Sequence, residues 1–460
     1  MKRAASTGHT LSRRAVLGGL SSAAFASGAL TSPALAQLRG GLFDAADSGG
    51  LVPGSPDDQS AAFARALEQA EASNRPLFLP PGRYEIAEVA LPGLAHLVGV
   101  PGATELVFRG GRFMLAARGA RRLRLDGLTL DGAGLPLDAG VRALLDAEDV
   151  ADVTIDDCRV TASRAGGVWL RGAAGRVTRS DVSGIRTVGI DVDQSRGMEV
   201  TGNRVSDCGD TGILIERDAE GTDDSIVSGN RITNIRAESG GSGQNGNGIN
   251  VDKANGVIVS GNRIDDCAFS AIRCYSSDGV AVTGNIATRC GETALYVEFA
   301  FEGAVVADNL IDGATDGISF ANFLEHGGRL AACSGNVVRR ITGGPRLDAS
   351  GRPTAGAGIA AEADVAITGN VVEDAVWGLA LGWGPHLRDV TATGNVLRRT
   401  RIGIGVSVEG AGPALISGNL ISGAEEGAIL GVRWDEVATG ELIDGTEDWP
   451  GVDIAGNRAG

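Results

Sequence analysis

The sequence predicts an all-β fold: a right-handed, single-stranded parallel β-helix of about thirteen coils with an N-terminal capping helix. Three observations predict it. Ten times a Gly-Asn pair or a near copy stands between apolar residues in one frame, as in Val200-Thr-Gly-Asn203-Arg-Val205 and Val259-Ser-Gly-Asn262-Arg-Ile264. A self-similar unit at such spacing marks a stacked repeat, which grows by adding coils rather than cores. A second signature, Gly-apolar-x-apolar, recurs coil by coil, as in Gly189-Ile-Asp-Val192 and Gly317-Ile-Ser-Phe320. Third, the chain holds 71 glycines and only 4% aromatic residues, which suits many tight turns around a narrow aliphatic core. The right hand follows from the rule for parallel crossovers.

The elements follow in order. Residues 1–36 read as a twin-arginine signal peptide. Ser12-Arg13-Arg14-Ala-Val-Leu17 precedes a moderately apolar run, and Ala34-Leu-Ala36 offers a small-x-small cleavage site. Cleavage after Ala36 removes Lys2, Arg3, Arg13 and Arg14 and no acid, taking the formal charge from −16 to −20. Such a surface repels nucleic acid and anionic membranes, and no later run is long enough for stable membrane insertion. The expected partners are the twin-arginine export machinery and, outside the cytoplasm, a polysaccharide; the expected location is periplasmic or secreted.

Residues 37–119 read as an N-terminal capping module. Asp57-Asp58 opens a stretch with helical spacing through Ala70. Leu79-Pro-Pro-Gly82-Arg-Tyr84 and Gly99-Val-Pro-Gly102-Ala-Thr104 then read as turns between short strands. A helix followed by these two motifs resembles the N-terminal module of pectate-lyase-like parallel β-helices. The resemblance implies that the helix covers the open edge of the first coil, as edges require. The leader, the module and the Gly-Asn coils together are similar to a family of twin-arginine-exported bacterial repeat proteins. That resemblance implies fold and compartment and supplies no activity.

Residues 120–460 read as the coils. Aligned on the Asn position they repeat at 22 to 38 residues, and the shortest intervals fit one turn of three strands. Each coil reads as strand one (Gly-Ile-x-Val), strand two, the Asn turn and strand three. Asn tolerates left-handed backbone, and its amide can bond along a stack of equivalent turns. The Gly-Asn series is therefore a structural ladder and says nothing about chemistry. Cys208, Cys267 and Cys290 share one column, and all six cysteines read as small buried hydrophobes, with a Cys267–Cys290 bridge as the exception to test.

Function on such a scaffold comes from outward positions and loops. Alternation along strand one turns Asp191, Asn250, Arg273 and Tyr296 outward in one column and Asp193, Glu216, Asp252, Tyr275 and Glu298 in a second. Beyond Ser319 the columns become small and neutral. Coils about 4.8 Å apart bring like charges together, so a cation, an arginine or a ligand is needed to relieve them. Arg273 and Lys253, the one lysine after the leader, are candidates. So is calcium on Asp193, Glu216 and Asp252, since hard cations take carboxylate oxygens; the cofactor is otherwise open. The catalytic candidates are Asp193, Glu216, Asp252, Arg273 and Lys253: acids for a glycoside hydrolase, Lys253 or Arg273 as base for a polysaccharide lyase. Asp191, Asn250, Tyr275, Tyr296 and Glu298 are substrate-binding candidates. Segments 217–224 and 236–247 border the face, and Trp377, Trp383 and Trp434 could stack on sugar rings. The functional expectation is polysaccharide binding with cleavage left open. The alternative is a non-enzymatic structural or adhesion-type envelope protein.

Overall fold

Strand, turn, strand, turn, strand repeats along the chain, and each strand pairs in parallel with its counterpart one coil away. The computed structural model describes residues 41–47, 50–241, 243–322, 327–345, 347, 351, 353, 355–410, 412–445 and 448–460. The leader and its cleavage site lie outside the described residues. The coil around Gly189 shows the plan: strand one Val188–Asp193, strand two Glu199–Thr201, a turn at Gly202–Asn203, and strand three Arg204–Cys208. The fold is a single-stranded parallel β-helix.

Strand-two segments form a 16-stranded parallel sheet that starts at Phe43–Asp44. It is longer than the thirteen Asn-aligned coils because strands Leu77–Phe78 and Leu94–Val98 of the capping module already extend the ladder. Helix α1 spans Ser60–Ala72 and buries Phe63, Ala66, Leu67 and Ala70, an i, i+3, i+4, i+7 stripe. It begins later than Asp57-Asp58 indicates. Gln59 is the N-cap, and its side chain is drawn away to Val52, whose N–H donates to Oε1 at 2.8 Å. Asp58 Oδ1 accepts the Ser60 N–H at 2.9 Å instead.

The core is a column of inward Ile, Val and Leu, among them Ile190, Val192, Ile213 and Ile215, all at 0% exposure. Each such side chain contributes about 1.5–3 kcal/mol on burial. The first glycine of each strand-one signature lets the coils approach: a Cβ at Gly212 would lie 2.5 Å from the Gly248 carbonyl.

The Asn turn divides its labour differently from the sequence expectation. The left-handed residue is the one before the Asn: Gly202 (φ 68°), Gly229 (φ 65°), Gly261 (φ 63°), and Asp308 (φ 58°) where Gly is replaced. The Asn supplies the hydrogen bonds. Asn262 donates its backbone N–H and its side-chain Nδ2–H to Asn285 Oδ1, each at 3.0 Å, and a further Nδ2–H to the Val227 carbonyl at 2.9 Å. The same set runs from Asn203 through Asn419 to Asn457. These amides are buried, so each bond replaces one that water would make.

One hairpin leaves the coil pattern. Strand Gly427–Arg433 pairs antiparallel with Glu436–Glu441, and Trp434 stands in its turn. All six cysteines are buried and unpaired. Cys267 and Cys290 are register neighbours and remain thiols, so the bridge named as an exception is not formed. Among the described residues no helix is long and apolar enough to cross a membrane.

Candidate functional site

The register of strand one places the outward residues in the two columns that alternation indicates. Asp191 pairs with Leu214, Leu214 with Asn250, Asn250 with Arg273, and Arg273 with Tyr296. Asp193 pairs with Glu216, Glu216 with Asp252, Asp252 with Tyr275, and Tyr275 with Glu298. Trp169 and Arg171 precede Asp191 and Asp193 in the same columns, and one coil further toward the N-terminus Asp146 and Glu148 pair with them.

These residues are not a solvated acidic surface. Asp191, Asp193, Asn250 and Glu298 are all at most 5% exposed although they point away from the core. Charged groups are seldom buried without partners, and here the partners are mostly arginines. Asp193 accepts the Trp169 indole N–H at 3.2 Å and an Arg171 N–H at 2.9 Å. Arg142, which precedes the strand-one segment Ala143–Glu148, uses one nitrogen for two acids: Nη2 lies 3.4 Å from Asp191 Oδ2 and 3.2 Å from Glu216 Oε1. Its guanidinium sits 5.6 Å over the Trp169 ring, a cation–π contact. Asp138, Arg142, Trp169, Thr187 and Asp191 line a cavity of about 440 Å³, within the range of ligand pockets.

Burial, then the nearby Glu216 charge, pushes the Asp191 carboxyl well above the usual carboxylate range, with Arg142 opposing. Burial and the Asp193 charge raise Glu216 in the same way. Asp191 Oδ1 is buried with no hydrogen-bond partner among the described residues, and a ligand hydroxyl would supply one.

The next coils form a second group. Arg273 donates Nε–H to Glu298 and lies 5.0 Å over the Tyr275 ring. Tyr275 meets Phe299 edge to face, with centroids 5.4 Å apart. Burial and the Glu298 charge push the Tyr296 phenol above its ordinary value, and burial raises Glu298 against the opposing Arg273 charge. Lys253 Nζ is 3.8 Å from Asp252, and burial raises Asp252.

The bordering segments differ from each other. Residues 217–222 are not a loop: strand Thr211–Thr222 continues through them and pairs again at Gly221–Ala254. Residues 236–241 and 243–247 do fold beside the face. Asp210 holds Ser239 by its N–H at 2.8 Å and its hydroxyl at 2.7 Å, and Asn250 donates to the Gln244 carbonyl at 3.4 Å. Residues 346, 348–350, 352 and 354 of the 343–354 insertion lie outside the described residues.

The calcium expectation does not fit the donors. Among the described residues no group of three or more His, Cys, Asp or Glu side chains could hold a metal ion. Asp193, Glu216 and Asp252 are successive in register, but each turns to its own cation: Arg171, Arg142 and Lys253. Arg142 was missed by column counting because it stands before its strand, in a segment whose path only the folded chain reveals. Asp146 was missed because counting began one coil too late.

A family model described as a right-handed β-helix region matches residues 138–243 and 167–325. No curated protein matches the chain. Among solved structures, the N-terminal fragment of gene product 12 of bacteriophage Phi29 is 13% identical, over 90% of this chain and 74% of that one, with a TM-score of 0.57. The pre-mature gene product 12 of bacteriophage phi29 is 14% identical, with a TM-score of 0.61; the match covers 92% of this chain but 60% of that one. DFA-IIIase from Arthrobacter chlorophenolicus A6 is 13% identical over 91% of this chain and 99% of that one, at a TM-score of 0.47. At these identities the likeness to the two phage structures, with the family model, shows the fold alone: a right-handed parallel β-helix.

Proposed function

We propose that the strand-one face binds a polysaccharide and hydrolyses it at the Asp191–Glu216 pair. The observation that carries this reading is a buried carboxyl with a raised pKa, on the wall of a cavity, sharing one arginine nitrogen with a second carboxyl. Glycoside hydrolysis needs such a pair. Asp191 keeps its proton and delivers it to the leaving oxygen. Glu216, the more exposed of the two, acts as the carboxylate, as nucleophile or as base toward water. The shared nitrogen favours the shorter of the two carboxyl separations used by glycosidases, about 5–5.5 Å rather than 6.5–9.5 Å. Asp193 is a positioning residue held by Trp169 and Arg171. Asn250, Asp252, Lys253, Arg273, Tyr275, Tyr296 and Glu298 continue the binding face.

Reducing-end release from a panel of neutral and acidic polysaccharides tests this. Asp191→Asn and Glu216→Gln should each lower the rate at least 100-fold, while Asp252→Asn alters mainly KM. An activity untouched by both changes removes the proposal. Products with an unsaturated, ultraviolet-absorbing end would instead indicate a lyase with Lys253 or Arg273 as base. A second reading is a rigid envelope or adhesion rod, favoured by the ion pairs of Asp193 with Arg171 and of Glu298 with Arg273. Glycan binding with no cleavage of any substrate would favour it.

A further inference from the structure

We infer that the C-terminal part of the strand-one face carries a cage for a quaternary ammonium group, built by Trp377, Trp383 and Trp434. Three of the chain's five tryptophans converge on one cavity of about 120 Å³. They arrive from separate elements. Trp377 belongs to strand Val371–Leu381, Trp383 to the turn after it, and Trp434 to the turn of the antiparallel hairpin. Trp377 is buried, whereas Trp383 and Trp434 are 37% and 43% exposed. The last two stand at 79° with ring centroids 5.4 Å apart.

The backbone is shaped for this convergence. Trp434 adopts φ 55°, a left-handed conformation that bulky residues rarely enter. Gly384 is left-handed too, and a Cβ there would lie 2.6 Å from the Trp434 ring. A Cβ at Gly405 would collide with the Trp377 indole. Gly405, a small residue of the first column beyond Ser319, thus has a use: it clears space for an indole ring. This group lies seven coils beyond Asp191, roughly 34 Å at about 4.8 Å per coil, and owes nothing to the hydrolytic pair.

The lining chemistry selects the occupant. The volume is below the roughly 300–1,000 Å³ of drug-sized pockets, so it takes one small group. Among the described residues that line it, Asp316 and Asp435 are acidic and none is Lys, Arg or His. That balance repels carboxylates, phosphates and sulfates. Asp316 is fixed on the wall by accepting the Ala357 N–H at 2.8 Å. Burial raises its pKa, and a seated cation would reverse that rise. Indole faces at right angles with carboxylates beside them attract a weakly hydrated cation. A methylated ammonium meets both demands, since its methyls fill apolar space and its charge faces the rings.

The test is titration of the full chain with choline chloride and with tetramethylammonium chloride, read by calorimetry and tryptophan fluorescence. Sodium chloride, the neutral choline isostere 3,3-dimethylbutan-1-ol and methyl β-glucoside serve as comparisons. Both cations should bind, at least tenfold more tightly than either neutral compound. Trp434→Ala and Trp383→Leu should each weaken choline at least tenfold with the far-ultraviolet dichroism unchanged; two positions guard against one variant failing to fold. Asp191→Asn, which disables the proposed hydrolysis, should leave choline binding intact. Absence of cation binding, equal binding of the isostere or the glucoside, or choline binding that survives both tryptophan changes would overturn the cage.

Discussion

Asp191 shows what one residue's surroundings can do. Alternation along Gly189-Ile-Asp191-Val192 fixes which way it points, and that much is legible in the sequence. Its burial is not, because Arg142, Trp169 and the 137–142 segment that cover it come from neighbouring coils. The raised pKa values of Asp191 and Glu216 mean that the native state holds protons which the unfolded chain releases. Their stabilising contribution is complete below the unfolded carboxyl range near about 4 and is lost as pH rises through the raised values. Asp191→Asn should therefore flatten the fall in stability on the alkaline side of that range and leave the protein more stable at pH 7, as read from urea midpoints across pH. Arg142→Ala removes the charge that opposes both shifts. It should destabilise the protein at neutral pH, and it should move the alkaline limb of any hydrolytic activity to higher pH. An unchanged limb would separate Asp191 from the proton transfer.

At the level of the element, the Asn turn and the strand-one register were readable because both are periodic. Counting from the Asn placed Asp191 to Glu298 in the columns that the pairing bears out. The division between Gly and Asn was not readable, since both tolerate left-handed backbone and only the folded turn shows which one uses it. Nor was the tryptophan cavity, whose three rings come from one strand and two turns with no common period. The hydrogen bonds make a sharp forecast. Asn285→Ala leaves two donors of Asn262 without an acceptor and frees the Val259 carbonyl, while Asn309 Oδ1 loses one of its two donors and keeps the backbone N–H of residue 285. Buried orphans of this kind cost about 1–3 kcal/mol each, so a loss of about 2–4 kcal/mol is expected. Hydrogen exchange should quicken first at the amides of Asn262 and Asn285 and less in distant coils, as nearest-neighbour coupling requires.

Residues 42–460 form a stack of coils, and both proposed sites lie on its strand-one face, the acidic, arginine-braced group in earlier coils and the indoles in later ones. We propose that this stack works outside the cytoplasm. Replacing Arg13-Arg14 by Lys-Lys should hold the full-length chain in the cytoplasm of a twin-arginine-competent host, as seen by cell fractionation, whereas export that survives the change would remove the assignment. The Asn ladder adds a property of the stack as a whole: it has a direction. Each ladder Asn sends its backbone N–H and one side-chain N–H forward to the Oδ1 of the following amide, and its other side-chain N–H back to a backbone carbonyl of the preceding coil. Cutting away the coil after Asn262 strands two of its donors and the Val259 carbonyl, whereas cutting away the coil before it strands one donor and its Oδ1 acceptor, the milder defect. The two ends of the ladder are therefore not equivalent: each cut at the back leaves one more buried donor unanswered than a cut at the front.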